Sequence, residues 1–163
     1  MDFTDASHPI EIAYFDRGPL DPKKAGLGGY WSAYWYNGYI YGSEIARGVD
    51  VFKLAPSKFL TQSEIDAASQ VHYDELNVQN QPKITWPSNF IVARAYADQL
   101  ARSHALAPER MAAVNAAISE KGGSDLMALA VTLDKDAAEA KTPADADRMR
   151  ALAAIMKGRS GRP

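Results

Sequence analysis

Gly28-Gly-Tyr-Trp-Ser-Ala-Tyr-Trp-Tyr-Asn-Gly-Tyr-Ile-Tyr-Gly-Ser43 is the stretch whose reading decides the fold. Two runs of aromatic and β-branched residues flank Asn37-Gly38, the dipeptide that best tolerates the two positive φ angles of a type I′ turn. The segment therefore predicts a β-hairpin with a two-residue loop. That loop fixes the register: Tyr36 opposite Tyr39 and Tyr34 opposite Tyr41 on one face, Trp35 opposite Ile40 and Trp31 near Glu44 on the other. Both faces carry aromatic rings. Such a sheet must be covered on both sides or use one side for recognition.

Working outward, Ile10-Glu-Ile-Ala-Tyr-Phe15 predicts a short strand ended by Asp16-Arg17-Gly18-Pro19, and Val49-Asp-Val-Phe-Lys-Leu54 predicts another after a turn at Glu44 to Gly48. The expected first half is a four-stranded antiparallel meander over residues 1–55, with a long exposed loop from Gly18 to Gly29. Beyond Ala55-Pro56 alanine dominates and the pattern becomes helical. Thr61-Gln-Ser-Glu64 matches a capping box for a helix to about Gln70. Trp86-Pro87 introduces a helix to about His104 with Phe90, Ala93, Ala97 and Leu100 on one stripe. Pro108 opens a third helix, stopped at Gly122-Gly123. Ser124 caps a fourth, carrying Leu126, Leu129, Ala130 and Leu133. Thr142-Pro143 starts a fifth, with Met149, Leu152, Ala153 and Met156 inward and Gly158 as its stop. The fold class is α+β: a meander resembling a single propeller blade, a helical region over 56–158, and a disordered tail at 159–163. Because alanine stripes bury little area per turn, the helical half is expected to be the less cooperative, its last helix opening first.

Composition bounds the function. The chain has 163 residues, 47% of them apolar, which suffices for a core. A net charge of -2 argues against a general nucleic-acid binder. Without cysteine there is no disulfide, thiol nucleophile or thiolate metal site. No basic leader with an apolar core opens the chain and no run is long and apolar enough to span a bilayer, so the expected compartment is the cytoplasm and no membrane partner is expected.

The chemistry-bearing residues are few. Trp31, Tyr34, Tyr36, Tyr39 and Tyr41 are candidates for a carbohydrate or peptide platform, although aromatics at strand spacing more often pack against another layer. His72, Asp74 and Glu75 are weak candidates for a metal site, with His8 and His104 the only other histidines. Asp16, Glu44, Asp50 and Asp66 could supply a carboxylate pair, although turns and caps already account for several. No cofactor is expected, since the chain lacks a phosphate loop, a dinucleotide fingerprint and a nucleophile elbow; Gly26-Leu-Gly28-Gly29 precedes a strand instead of a helix.

The run Tyr30 to Ser43 followed by Arg47-Gly-Val-Asp-Val-Phe52 resembles the last repeat of bacterial LVIVD-repeat proteins, a β-propeller-like family. His8-Pro-Ile-Glu-Ile-Ala-Tyr-Phe-Asp16 resembles the strand that precedes it there, and the extension through Trp86-Pro87 resembles a helical appendage. Val49-Asp50-Val51 is the nearest run to the repeat's own signature. The resemblance implies the terminal blade of a larger architecture, a periplasmic or cell-surface setting for the parent proteins, and no catalytic residues. A lone blade leaves strand edges open. The expectation is a non-catalytic binding or assembly module that self-associates or meets a companion chain through an exposed edge. The alternative is a fragment of a periplasmic hydrolase or small metal-dependent enzyme with its site at the β/α junction.

Overall fold

A computed structural model describes residues 1–80, 83–119 and 125–160. Three strands come first, β1 (Tyr30–Tyr36), β2 (Tyr39–Glu44) and β3 (Gly48–Phe52), followed by α1 (Gln62–Ala68), α2 (Phe90–Arg102), α3 (Pro108–Ser119), α4 (Leu126–Ala138) and α5 (Pro143–Arg159). The arrangement is α+β, an antiparallel meander ordered β1-β2-β3 and then helices.

The turn chemistry sets the hairpin. Asn37 and Gly38 have φ of 49° and 88°, the positive pair that the type I′ turn requires, and Tyr36 faces Tyr39, Trp35 faces Ile40 and Tyr34 faces Tyr41 as the loop length dictates. One detail departs from simple alternation. The register shifts between Tyr30 and Ser32, so Trp31 is a bulge residue and Tyr30 takes the place opposite Glu44. The second face is thereby built with Tyr30 where Trp31 was expected. Gly42, beside it, leaves room for that ring, since a Cβ there would lie 2.8 Å from Tyr30.

The sheet has three strands, not four. Ile10 to Phe15 forms no ladder and contributes one isolated bridge, Ile10 with Asp2. Its side chains suit a strand, but Phe15 crosses over the sheet to pack on Phe52 (centroids 4.7 Å apart) and Tyr30 (6.2 Å), instead of lying beside an edge.

The helices form where their caps predict. Thr61 and Glu64 make the reciprocal capping box. Asn89 accepts from the N–H groups of Ile91 and Val92, so α2 begins two residues after the segment Trp86-Pro87 ends. Thr142 accepts from the Asp145 N–H at 3.1 Å, with Pro143 in the first turn. Two stops differ from expectation. Helix α5 runs through Gly158 to Arg159, closed by the Ser160 N–H on the Met156 carbonyl at 2.9 Å, because a glycine inside a helix costs only about 1 kcal/mol against alanine and one intact ladder outweighs it. Arg159 thus belongs to the helix and not to a tail. The end of α3 at Gly122-Gly123 and the Ser124 cap lie outside the described residues, as do 161–163.

Among the described residues the main apolar cluster is built from helix residues. Leu100, Val114, Leu126, Leu133, Met149, Leu152 and Met156 are fully buried, joined by the alanines Ala93, Ala130 and Ala153, which let the helices approach closely. Helix α5 lies along α4 and against α2, and α2 also packs on α1 and α3. All four stripe residues expected on α2 and all four on α5 are buried. With α5 at the centre of the core, its burial argues against its being the first element to open. Among the described residues no strand packs against a helix. At the hairpin tip Asn37 exchanges two hydrogen bonds of 2.9 Å with the backbone of Tyr73, on the connection that follows α1.

Candidate functional site

The sheet presents two faces of different character. Alternation from the observed register puts Tyr34, Tyr36, Tyr39, Tyr41, Val49 and Val51 on one face. Of these, Tyr36 is half-buried and its hydroxyl donates to the carbonyls of Tyr73 (2.9 Å) and Asp74 (3.1 Å), which makes it a fastener to the helical body. Its ring meets Tyr41 at 6.2 Å with a 56° tilt. Tyr34, Tyr39 and Tyr41 are exposed, and Trp31, pushed out of alternation by the bulge, is 82% exposed. Four of the five aromatic candidates are therefore available to solvent and the fifth is a structural contact.

The opposite face is polar at one end. Asp50 accepts from the Tyr30 hydroxyl and from the Arg17 guanidinium at 3.0 and 3.2 Å. Those donors hold its carboxyl below the ordinary carboxylate range against the opposing effect of burial. Partial burial, with the Asp50 carboxylate alongside, pushes the Tyr30 phenol up to about 12. Glu44, buried in the last residue of β2, accepts from the N–H groups of Gly29 and Ala46 at 2.9 Å each and pairs with Arg47 at 4.0 Å. Burial alone would raise its pKa, but the backbone donors and Arg47 outweigh it and the net shift is downward. Both carboxylates are thus stabilised as anions and engaged as acceptors. Beside them a cavity of about 310 Å³ is bounded by Arg17, Leu20, Lys24, Glu44 and Arg47. Asp66, on α1, accepts from Gln62 instead and lies outside this group.

His72, Asp74 and Glu75 sit on the exposed connection after α1, where Asp74 contributes its carbonyl to Tyr36. Among the described residues no group of three or more His, Asp or Glu side chains is placed to hold a metal. His104 has φ of 51°, at the end of α2, where the Ala105 N–H returns to the Leu100 carbonyl at 3.0 Å. That is a left-handed helix cap. His8 pairs with Asp5 at 3.0 Å, both exposed.

A polar network on the helices escaped the sequence reading. Arg102 grips Glu64 with two hydrogen bonds of 2.9 and 2.6 Å, so the capping glutamate also serves as an ion-pair partner across α1 and α2. Burial would raise the Glu64 pKa, yet Arg102 and the Thr61 N–H lower it overall. The Thr61 hydroxyl donates to Asp98 at 2.6 Å. Buried Asp145 accepts from Ser103, Thr142 and Arg148, and Arg148 also reaches Thr4 at 3.3 Å, drawing the first residues of the chain onto α5. The capping box was a visible signal for Glu64; nothing in the local sequence marks Arg102, 38 positions away. Comparison with family models, with curated proteins and with solved structures finds no match to this chain.

Proposed function

We propose that the chain is a non-catalytic binding and assembly module that works through its three-stranded sheet. One observation carries this reading: the sheet keeps Trp31, Tyr34, Tyr39, Tyr41, Val49 and Val51 in solvent while, among the described residues, the main apolar cluster lies in the helices. Contiguous exposed apolar surface of this kind marks interaction sites. Tyrosine and tryptophan suit the role, since each offers a large rigid area with a polar tip and few rotors to immobilise. The resemblance to a terminal LVIVD-type blade points the same way, because such a blade meets neighbours through its faces and edges.

The test separates a recognition face from a structural one. The Tyr34→Thr, Tyr39→Thr, Tyr41→Thr chain should keep the wild-type melting temperature within a few degrees, since exposed substitutions typically stay within about 0.5 kcal/mol each. It should also lose capture by insoluble polysaccharides or by aromatic-rich extended peptides, measured by co-sedimentation and by Trp31 emission. Identical capture by the two chains throughout, or collapse of the fold, would overturn the reading.

A further inference from the structure

Residues Ile10 to Phe15 are rich in strand-forming side chains but form no ladder. From Glu11 to Pro19 the backbone runs without turn or bend. Among the described residues the backbone of Glu11 to Phe15 makes no hydrogen bond. Both ends of this span are fixed. Ile10 exchanges backbone bonds of 2.8 and 3.0 Å with Asp2, and Phe15 and Arg17 are held by Phe52 and Asp50. What lies between is an extended, pre-positioned strand with its donors and acceptors open and Tyr14 84% exposed.

A matching edge exists on the same molecule. Among the described residues β3 ends the sheet and pairs only with β2, and it exposes Val49 and Val51 at 69% and 55%. Phe15 and Arg17, just past the segment, lie against Phe52 and Asp50 on the face of β3, and among the described residues no backbone hydrogen bond is made to the outer edge of β3. The charges are complementary. Glu11 on the segment and Lys53 at the end of β3 are exposed and make no ion pair or hydrogen bond among the described residues. An antiparallel register that sets Glu11 opposite Lys53 also sets Ile12 against Phe52, Ala13 against Val51 and Tyr14 against Asp50, an order that keeps apolar residues together.

We infer that the partner of this sheet is a second copy of the same chain, each copy laying Glu11 to Tyr14 along the other's β3 edge as a fourth strand. In the two-fold dimer each copy gives one segment and receives one, whereas the same pairing without closure would add copies head to tail and appear as species larger than a dimer. Pre-positioning lowers the ordering cost of the association. This inference rests on the assembly reading above and specifies its partner.

Sedimentation velocity across a concentration series tests it. The wild type should form dimers. Glu11→Lys and Lys53→Glu, at sites without side-chain partners among the described residues, should each weaken dimerisation on the order of tenfold by placing like charges opposite one another twice per dimer. The Glu11→Lys, Lys53→Glu chain should dimerise again, and so should an equimolar mixture of the two single variants, whose charges match only across the heterodimer. Near-ultraviolet circular dichroism should be unchanged throughout. A wild type that stays monomeric at every concentration would overturn the second copy as partner, while capture by the tyrosine face would still stand or fall on its own assay. Dimers indifferent to either single substitution, or not restored by mixing, would place the interface elsewhere and overturn the strand pairing.

Discussion

The sheet and the helical bundle reach order by different means. The bundle turns one stripe of each long helix inward and buries it fully, with Leu100, Leu152 and Met156 at its centre and alanines closing the gaps. The sheet has eight aromatic residues and buries none of them completely; its only buried positions are Gly42 and Glu44. Bundle stability is therefore a matter of apolar area, and sheet stability a matter of cross-strand pairs, one turn and a few charge-assisted hydrogen bonds. Aromatic content is a poor guide to where a core will form. What matters is whether a second layer covers the rings, and here none of the helices does.

The largest effect should come from the bundle. Leu152→Ala removes a fully buried side chain between α5 and its neighbours and should cost about 2 to 5 kcal/mol by chemical denaturation. Tyr34→Ala, which removes more atoms from an exposed sheet position, should cost under about 1 kcal/mol. Equal losses at the two sites would break the comparison. In the same sense, amide exchange should be slower in Leu152 to Met156 than in Tyr34 to Tyr41.

Next in size is the clasp between α1 and α2. Arg102→Leu leaves the buried Glu64 carboxylate without its bidentate donor, a loss of about 2 kcal/mol. The clasp also predicts an acid response. The folded Glu64 pKa lies below its ordinary 4.5, so its contribution is complete above that pH and is lost as pH falls through the lowered folded value. The Arg102→Leu chain should show a shallower decline of melting temperature below pH 4.5 than the wild type, and parallel curves would argue that the pair is not coupled to folding.

The hairpin turn should matter less. Gly38→Val forces a β-branched residue to φ of 88° and brings its Cβ to 3.3 Å from the Ser69 hydroxyl, for an expected cost of about 1 to 2 kcal/mol. An unchanged denaturation midpoint would count against the turn's role in the fold.

The smallest effect should be confined to the sheet at high pH. Because the folded Tyr30 pKa is raised from 10.0 to about 12, the neutral phenol's support is intact below pH 10 and fades between pH 10 and 12. Trp35 emission should change in that window while the helical ellipticity holds. Simultaneous loss of both signals would mean that sheet and bundle are energetically one unit.

The amino-acid sequence by itself determined the local features whose causes lie within a few residues. Asn37-Gly38 admits one tight turn and hence one register; Thr61 with Glu64, and Thr142 before Pro143, start helices wherever they are placed; the spacing of Met149, Leu152, Ala153 and Met156 marks an inward stripe. Placement of the non-local pieces belonged to the tertiary structure. The bulge at Trp31 depends on Tyr30 finding Asp50, Phe52 and the open space above Gly42, residues of two other strands. Ile10 to Phe15 has strand propensity, but propensity specifies a backbone shape and not a partner, and the contacts of Phe15 and Arg17 carry it across the sheet instead of alongside. The same holds for the aromatic face. Period-two spacing establishes that Tyr34, Tyr39 and Tyr41 share a side, and only the arrangement of the helices, which pack on one another and leave that side in solvent, decides that it is a surface and not a core.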